Sequence, residues 1–482
     1  MLVIWSDVFE KFLQGECLFA DWSDDEISIL KGEIHGRAIL DLRLFGVGLW
    51  DAKREAVAPF LHGGYHGISM DLPMGDVTSL VAKKFVGLME KIANWGYSAG
   101  SGVDLPSMAH PSPNPSGRFF FVGLRRWKAA SIGPILNGGA SGIRFVSDAS
   151  SLRRVSIVEG DNVFVWGAGF SGGELEFVRE RGGRIYRVED GFIRSVGLGS
   201  DFVRPLSLVV DESGLYFDPS HASDLETILN TASFTEDEIK TAETVRHNIV
   251  QNGITKYNIE PRGRPDWGTT NKRIVLVPGQ VEDDASIRLG CSSIRTNLGL
   301  LRAVRSSHPD AFIVYKPHPD VRSGNRSGVL GNHETSELAD HVETQWSVVS
   351  CIEACAEVHT MTSLCGFDAL LRGKRVVTYG QPFYAGWGLT CDMEASPPAF
   401  ARRLRRLSMS EMVAGTLLRY PIYWDWTRMT RTTCENVLES IKQSQNKIEQ
   451  TGDSGAVHPN FLRRTIRKFR LITGPRWQIG RL

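Results

Sequence analysis

The sequence predicts an α/β protein built from two Rossmann-type domains that face each other across a cleft. Three observations lead there. From Phe119, apolar runs that end in glycine or a charged turn alternate with helical stretches, the signature of strands in a parallel sheet. A second set of strands opens with KRIVLVPG at 272–279, and EPRGRPDWGTTN at 260–271 reads as the linker between the two sets. Two such domains on one linker normally enclose a ligand cleft. The expected boundaries are an N-terminal extension at 1–115, a first domain at 116–262, a second at 272–430 and a helical basic tail at 431–482.

Length and charge narrow the class. A chain of 482 residues exceeds one ordinary core. Lysine plus arginine balance aspartate plus glutamate at 55 each, so no global field favours nucleic acid, and no nucleic-acid partner is expected. Seven cysteines without regular spacing fit a reducing compartment better than a disulfide framework. The start, MLVIWSDVFEKF, meets Asp7 and Glu10 too soon for a signal peptide, and no apolar stretch reaches spanning length. A cytoplasmic location is expected.

In chain order, Arg37 to Leu44 looks like a strand and residues 76–95 show Leu80, Val81, Phe85, Leu88 and Ile92 at helical spacing. Residues 99–117, rich in Pro, Ser and Gly, read as a linker. The first-domain strands are FFFVGL from Phe119, VFVWGA at 163–168 and GRIYRVEDG at 183–191, with a helix at Gly173 to Arg181 and helical character at 234–258. In the second domain, Glu357 to Asp392 is a βαβ unit. Val358 to Met361 end a strand, and Thr362 or Ser363 caps a helix carrying Leu364, Phe367, Leu370 and Leu371. Gly373 stands at the left-handed C′ position, and Arg375 to Tyr379 form the next strand. Ligands bind outside the carboxyl ends of such strands, beside helix N-termini that attract phosphate.

Four stretches fall at those ends, each with a plain structural alternative. VEDGFIRSVGLGS at 188–200 puts Glu189 and Asp190 at a strand terminus, where a solvated turn would look the same. VPGQVEDDASIRLG at 277–290 carries Asp283 and Asp284 into a helix, where they would complement its dipole. In YKPHPDVRSGNR at 315–326, two prolines stiffen the loop around His318 beside Lys316, Arg322 and Arg326, a set suited to clamping an anion. GQPFYAGWGLTCD at 380–392 offers three glycines for close backbone approach, with Phe383, Tyr384 and Trp387 either stacking on a ligand or packing a core. No DxD-like metal pair is evident, neither Cys351 with Cys355 nor His359 alters that, and no metal is expected.

The order and wording of VEDGFIRSVGLGS, PLSLVVDESGLYFD, LVPGQVEDDASI, YKPHPDV with GNR, and EVHTMTSLCGFDALLRG followed by TYGQPFYAGWGLT closely resemble the KpsC-type bacterial capsule proteins, from about Gly123 to Tyr423. The resemblance implies a GT-B-like architecture and a retaining β-Kdo glycosyltransferase that uses CMP-Kdo to extend a lipid-linked oligo-Kdo linker of capsular polysaccharide. It requires no cofactor beyond the donor. It places His318 and Pro319 at the CMP phosphate and Asp190 as carboxylate nucleophile, with Glu189 its nearest rival. On the donor side it implies Lys316, Ser363, Asp368, Gln280, Gln381, Tyr384, Gly386 and Trp387, with the first domain taking the acceptor.

Two departures qualify the likeness. The family carries two transferase modules in tandem and one complete motif set is found here, which implies a single linkage. Asp368 also stands where glutamate is usual, shortening the carboxylate's reach. The basic amphipathic tail at 460–482 reads either as a peripheral contact with the inner membrane, near the lipid-linked acceptor and capsule assembly or export proteins, or as a helix closing on the protein body. Two other functions fit the same architecture: a nucleotide-sugar epimerase and a non-catalytic assembly scaffold.

Overall fold

The architecture comes from a computed structural model. It describes residues 117–137, 143–170, 172–268, 271–322 and 327–451, with the short pieces 38–41, 48–51, 56–59, 464–468 and 471. The helix expected at 76–95, the linker before residue 117, and Arg326 lie outside the described residues.

Two compact units divide the chain, one of them N-terminal. In that unit, β1 (Ala38–Asp41), β2 (Gly48–Asp51) and β3 (Ala56–Pro59) form an antiparallel meander, with Ile39 opposite Trp50 and Leu49 opposite Ala58. The strand expected at Arg37 to Leu44 is β1.

The larger unit contains two sheets. The first begins with β4 (Phe119–Val122), helix α1 (Arg126–Asn137), β5 (Ile143–Val146), β6 (Asn162–Trp166), helix α2 (Gly172–Glu180), β7 (Arg184–Asp190) and β8 (Ser207–Asp211). Pairing is parallel through β5-β4-β6-β7, then antiparallel from β7 to β8. The unbroken apolar run FFFV is what a parallel strand covered on both faces needs, and all four residues are buried. Across the strands, Phe119, Phe121 and Tyr186 stack on Phe164 at 5.2 to 5.6 Å between ring centroids.

Helix α3 (Glu236–Asn252) leads out of this sheet. A capping box between Thr235 and Glu238 starts it, and Gly253 ends it in the left-handed region. The second sheet then follows: β9 (Ile274–Pro278), helix α4 (Asn297–Ser307), β10 (Phe312–Lys316), β11 (His341–Val342), β12 (Glu357–Thr360), helix α5 (Leu364–Leu371), β13 (Arg375–Thr378) and β14 (Cys391–Asp392). All six strands are parallel, in the order β11-β10-β9-β12-β13-β14.

The chain does not stay in the second sheet to residue 430 as the expected boundary has it. β15 (Pro421–Asp425) pairs antiparallel with β8, and β16 (Thr430–Thr432) pairs with β15, so the segment returns to extend the first sheet to seven strands. The expectation missed this because PIYWD reads equally well as a strand of either sheet. The return leaves one apolar core running from Phe192 and Val209 to Leu276, Phe367 and Tyr420. Among the described residues no helix is long and apolar enough to cross a membrane.

Candidate functional site

The carboxyl end of β7 presents two adjacent acids in different surroundings. Asp190 keeps 16 % of its side chain exposed, and Arg194 Nε lies 2.9 Å from its Oδ1. Burial raises the cost of its charge, but Arg194, Lys256 and Lys128 together outweigh that and hold the carboxyl below its ordinary value. Glu189 faces the opposite balance. Burial dominates, Lys256 and Lys128 oppose it only in part, Asp190 adds repulsion, and the carboxyl is pushed up to about 7. Gly167, with φ +49°, packs so close to Glu189 Oε1 that a Cβ there would collide with it, so this glycine both makes the turn after β6 and admits the acid.

The surrounding cations are held in place. Arg194 is 4 % exposed, donating from Nη1 to Ser195 Oγ at 2.8 Å and from Nη2 to the Val203 carbonyl at 3.0 Å. Lys128, on α1, places Nζ 3.0 Å from the centroid of the Trp166 ring, and burial lowers its ammonium to about 8. An ionised carboxylate beside a half-protonated one, framed by cations, is an arrangement for nucleophile and general acid/base work.

Across from β7, the carboxyl edge of the second sheet gathers the other expected residues in strand order: His318 after β10, Gln280 after β9, Ser363 after β12 and Gln381 after β13. Gln280 joins two of these loops. Its Oε1 accepts from Thr362 N at 2.9 Å and its Nε2 donates to Thr362 Oγ1 at 3.1 Å, while Asn297 Oδ1 accepts from Gln280 N at 2.8 Å. Ser363 caps α5, its Oγ accepting from Cys365 N at 3.2 Å. His318 Nδ1 accepts from Asp320 N at 3.2 Å, which places the proton of the neutral ring on Nε2.

The two edges meet. Phe192 and Ile193, just after Asp190, share a small cavity of about 10 Å³ with Leu364, Phe367 and Asp368 of α5. That is room for roughly one water. The Asp368 carboxyl lies in its wall, and burial pushes it up to about 6, with Arg372 opposing. Phe217 reaches over as well: a Cβ on Gly290 would meet its carbonyl oxygen at 3.6 Å and Thr362 Cγ2 at 3.0 Å.

Several of the expected donor-side residues are buried or engaged by other parts of the chain. Tyr384 and Trp387 have no exposed surface; Tyr384 OH donates to the Ser363 carbonyl at 2.5 Å and Trp387 Nε1 to the Phe383 carbonyl at 2.8 Å. They are core residues that brace the α5 N-terminus from below, and Gly386 turns the chain against Phe400 and Arg403. Lys316 is likewise turned away from the loop of His318, its ammonium donating to Glu260 Oε1 at 2.9 Å and the Trp346 carbonyl at 2.7 Å. Asp284 follows its plain alternative, capping the helix Ala285–Gly290. Gln381 Nε2 donates to Ser396 Oγ at 2.9 Å, with its Oε1 buried and without a partner among the described residues. The sequence reading missed Lys128 and Lys256, which belong to no charged motif and join the site only through the fold.

The chain matches the profile described as "Capsule polysaccharide biosynthesis protein" over residues 161–260 and 263–423, more than half its length. It belongs to the capsule polysaccharide biosynthesis family. The match takes in Glu189, Asp190, His318 and Ser363. Among curated relatives, the capsule polysaccharide modification protein LipA of Neisseria meningitidis serogroup B is 45% identical over 309 residues, 64% of this chain and 43% of LipA. The lipopolysaccharide-processing protein LpsZ of Rhizobium meliloti is 39% identical over 55% of this chain and 60% of its own. The chain thus spans less than half the length of LipA.

Among solved structures, the KpsC β-Kdo 2,7 transferase of Thermosulfurimonas dismutans is 34% identical with a TM-score of 0.55, covering 68% of this chain and 99% of that one. The β-Kdo 2,4 transferase of the same organism's KpsC is 28% identical with a TM-score of 0.58, covering 67% and 98%. The GT-B-like architecture expected from the sequence is the one this family member has.

Proposed function

We propose that the chain is a retaining glycosyltransferase that moves Kdo from CMP-Kdo to a lipid-linked, Kdo-bearing acceptor in capsule assembly. The observation that carries the reading is the unequal pair at the end of β7: Asp190 kept ionised by Arg194, Lys256 and Lys128, beside Glu189 raised to about 7. In a retaining transfer, the Asp190 carboxylate attacks the anomeric carbon of the bound sugar, forming a C–O bond as the bond to the CMP phosphate breaks. The acceptor hydroxyl then attacks the same carbon, releasing Asp190, and Glu189 takes the hydroxyl proton.

The phosphate that departs carries negative charge, which His318 Nε2–H and the backbone amides at the α5 N-terminus are suited to receive. Asp368 is buried beside the one-water cavity and is shorter than glutamate, so in this reading it stands behind the donor pocket and does not reach into it. Peripheral contact with the inner membrane remains part of the proposal, although of the tail Arg464 is already engaged by Asp201 at 3.2 Å.

The test is incubation of the protein with CMP-Kdo generated in situ and a synthetic Kdo-terminated lipid. One Kdo added per acceptor, and none with Asp190→Asn, supports the reading. Epimerisation of a UDP-sugar in the absence of acceptor, or full activity of Asp190→Asn, overturns it.

A further inference from the structure

At the opposite, amino-terminal edge of the second sheet, three side chains converge that the glycosyl-transfer reading does not use. Glu357 opens β12, and His359, two residues on, projects from the same face of the strand. His308, at the end of α4, closes over both. His308 Nε2 is 3.3 Å and His359 Nε2 3.6 Å from one oxygen, Glu357 Oε1, and all three atoms lie within 4.8 Å of one another.

From this geometry we propose a divalent transition-metal site of the two-histidine, one-carboxylate type at His308, Glu357 and His359, with Zn²⁺ as its natural occupant. Ligands about 2.0–2.1 Å from a tetrahedral zinc stand roughly 3.3 Å apart, close to the two spacings to Glu357 Oε1. The far side of each group is already held. His308 Nδ1 is 2.9 Å from Ser307 Oγ, and His359 Nδ1 is 3.1 Å from Tyr379 OH. Arg273 Nη2 donates to Glu357 Oε2 at 2.9 Å, leaving Oε1 to bind in monodentate fashion. Partners of this kind fix the ring orientation and the coordinating atom in metal sites.

Two of the three inward atoms, Glu357 Oε1 and His359 Nε2, are buried and make no hydrogen bond among the described residues. Buried polar atoms left without a bond are costly and rare. The Nε2–H tautomer of His308 would serve Glu357 Oε1, but His359 Nε2 would still have no partner within hydrogen-bond distance among the described residues. A cation serves all three at once. Arg273 and Arg375 add positive charge nearby, but about half of each side chain is exposed, so water screens them. His308 keeps a quarter of its side chain in solvent and provides the entry. The remaining coordination position falls to water, and the ion would staple the turn after α4 to the centre of the sheet.

The experiment uses the full, untagged chain stripped with a chelator. Zn²⁺ is titrated by calorimetry, and Co²⁺ is added separately as a spectroscopic probe. One Zn²⁺ per chain is expected, with a tetrahedral Co²⁺ visible band. His308→Ala, on a partly exposed side chain, should weaken Zn²⁺ binding by at least about tenfold and abolish the band while circular dichroism is unchanged. Absence of stoichiometric Zn²⁺ binding by the unmodified chain overturns the proposal. So does equal affinity in His308→Ala, which would place the ion elsewhere.

Discussion

Arg194 Nε stands 2.9 Å from Asp190 Oδ1, and the same guanidinium is anchored by Ser195 and the Val203 carbonyl. One side chain therefore ties the charge of the proposed nucleophile to the loop that follows it, alongside Lys256 and Lys128. Arg194→Gln should raise the Asp190 pKa, shifting the acid limb of the kcat/KM profile to higher pH, and should reduce turnover by about 100-fold. Breaking a buried charge pair also destabilises by about 3–5 kcal/mol, so the profile is measured well below the variant's Tm. An unmoved acid limb would detach Arg194 from Asp190.

Glu189 is the group whose titration lies nearest neutrality. Because its carboxyl is raised to about 7, the protonated form prevails below that pH and falls away as pH rises through it. In the acceptor step Glu189 must accept a proton, so the rate of that step should rise through about pH 7 and level off above it. Glu189→Gln should remove the rise and lower turnover by about 10²–10⁴-fold, with donor KM little changed. Pre-steady-state kinetics with a saturating acceptor reads both.

Lys316 and Glu260 join β10 to the segment between the two sheets. Lys316→Met should cost about 1–3 kcal/mol of stability by removing the cation beside Glu260, whose other oxygen keeps the Val348 amide, and should leave donor KM within about twofold. Denaturant unfolding and steady-state kinetics separate this outcome from the anion-clamp role, which would raise KM at unchanged stability.

Trp387 makes the contrast between sequence and structure concrete. GQPFYAGWGLT reads as an aromatic, glycine-rich ligand loop, and composition alone cannot say which way an aromatic ring faces. The ring lies in the core, so Trp387→Ala should cost about 3–5 kcal/mol and leave donor affinity unchanged in whatever protein folds. The elements set by local pattern were legible. The FFFV strand, the Ser363 cap, the left-handed Gly373 and the placement of Glu189 and Asp190 at a strand end all follow from periodicity and turn chemistry. What depends on contacts distant in sequence was not. The return of β15 to β8, the Gln280 clamp on Thr362, and the approach of Lys128 to Glu189 and Asp190 are properties of the fold, and no local spacing encodes them.

The central claim is that Asp190 becomes covalently bonded to the donor sugar. The most direct measurement is mass spectrometry of the intact protein and its peptides after brief exposure to CMP-Kdo without acceptor, in the Glu189→Gln background, where the second step is slowed. A mass increase of one Kdo residue, mapped to the peptide containing Asp190 and absent in Asp190→Asn, is the predicted result. CMP release with no adduct on either acid, or an adduct on a different residue, would contradict it.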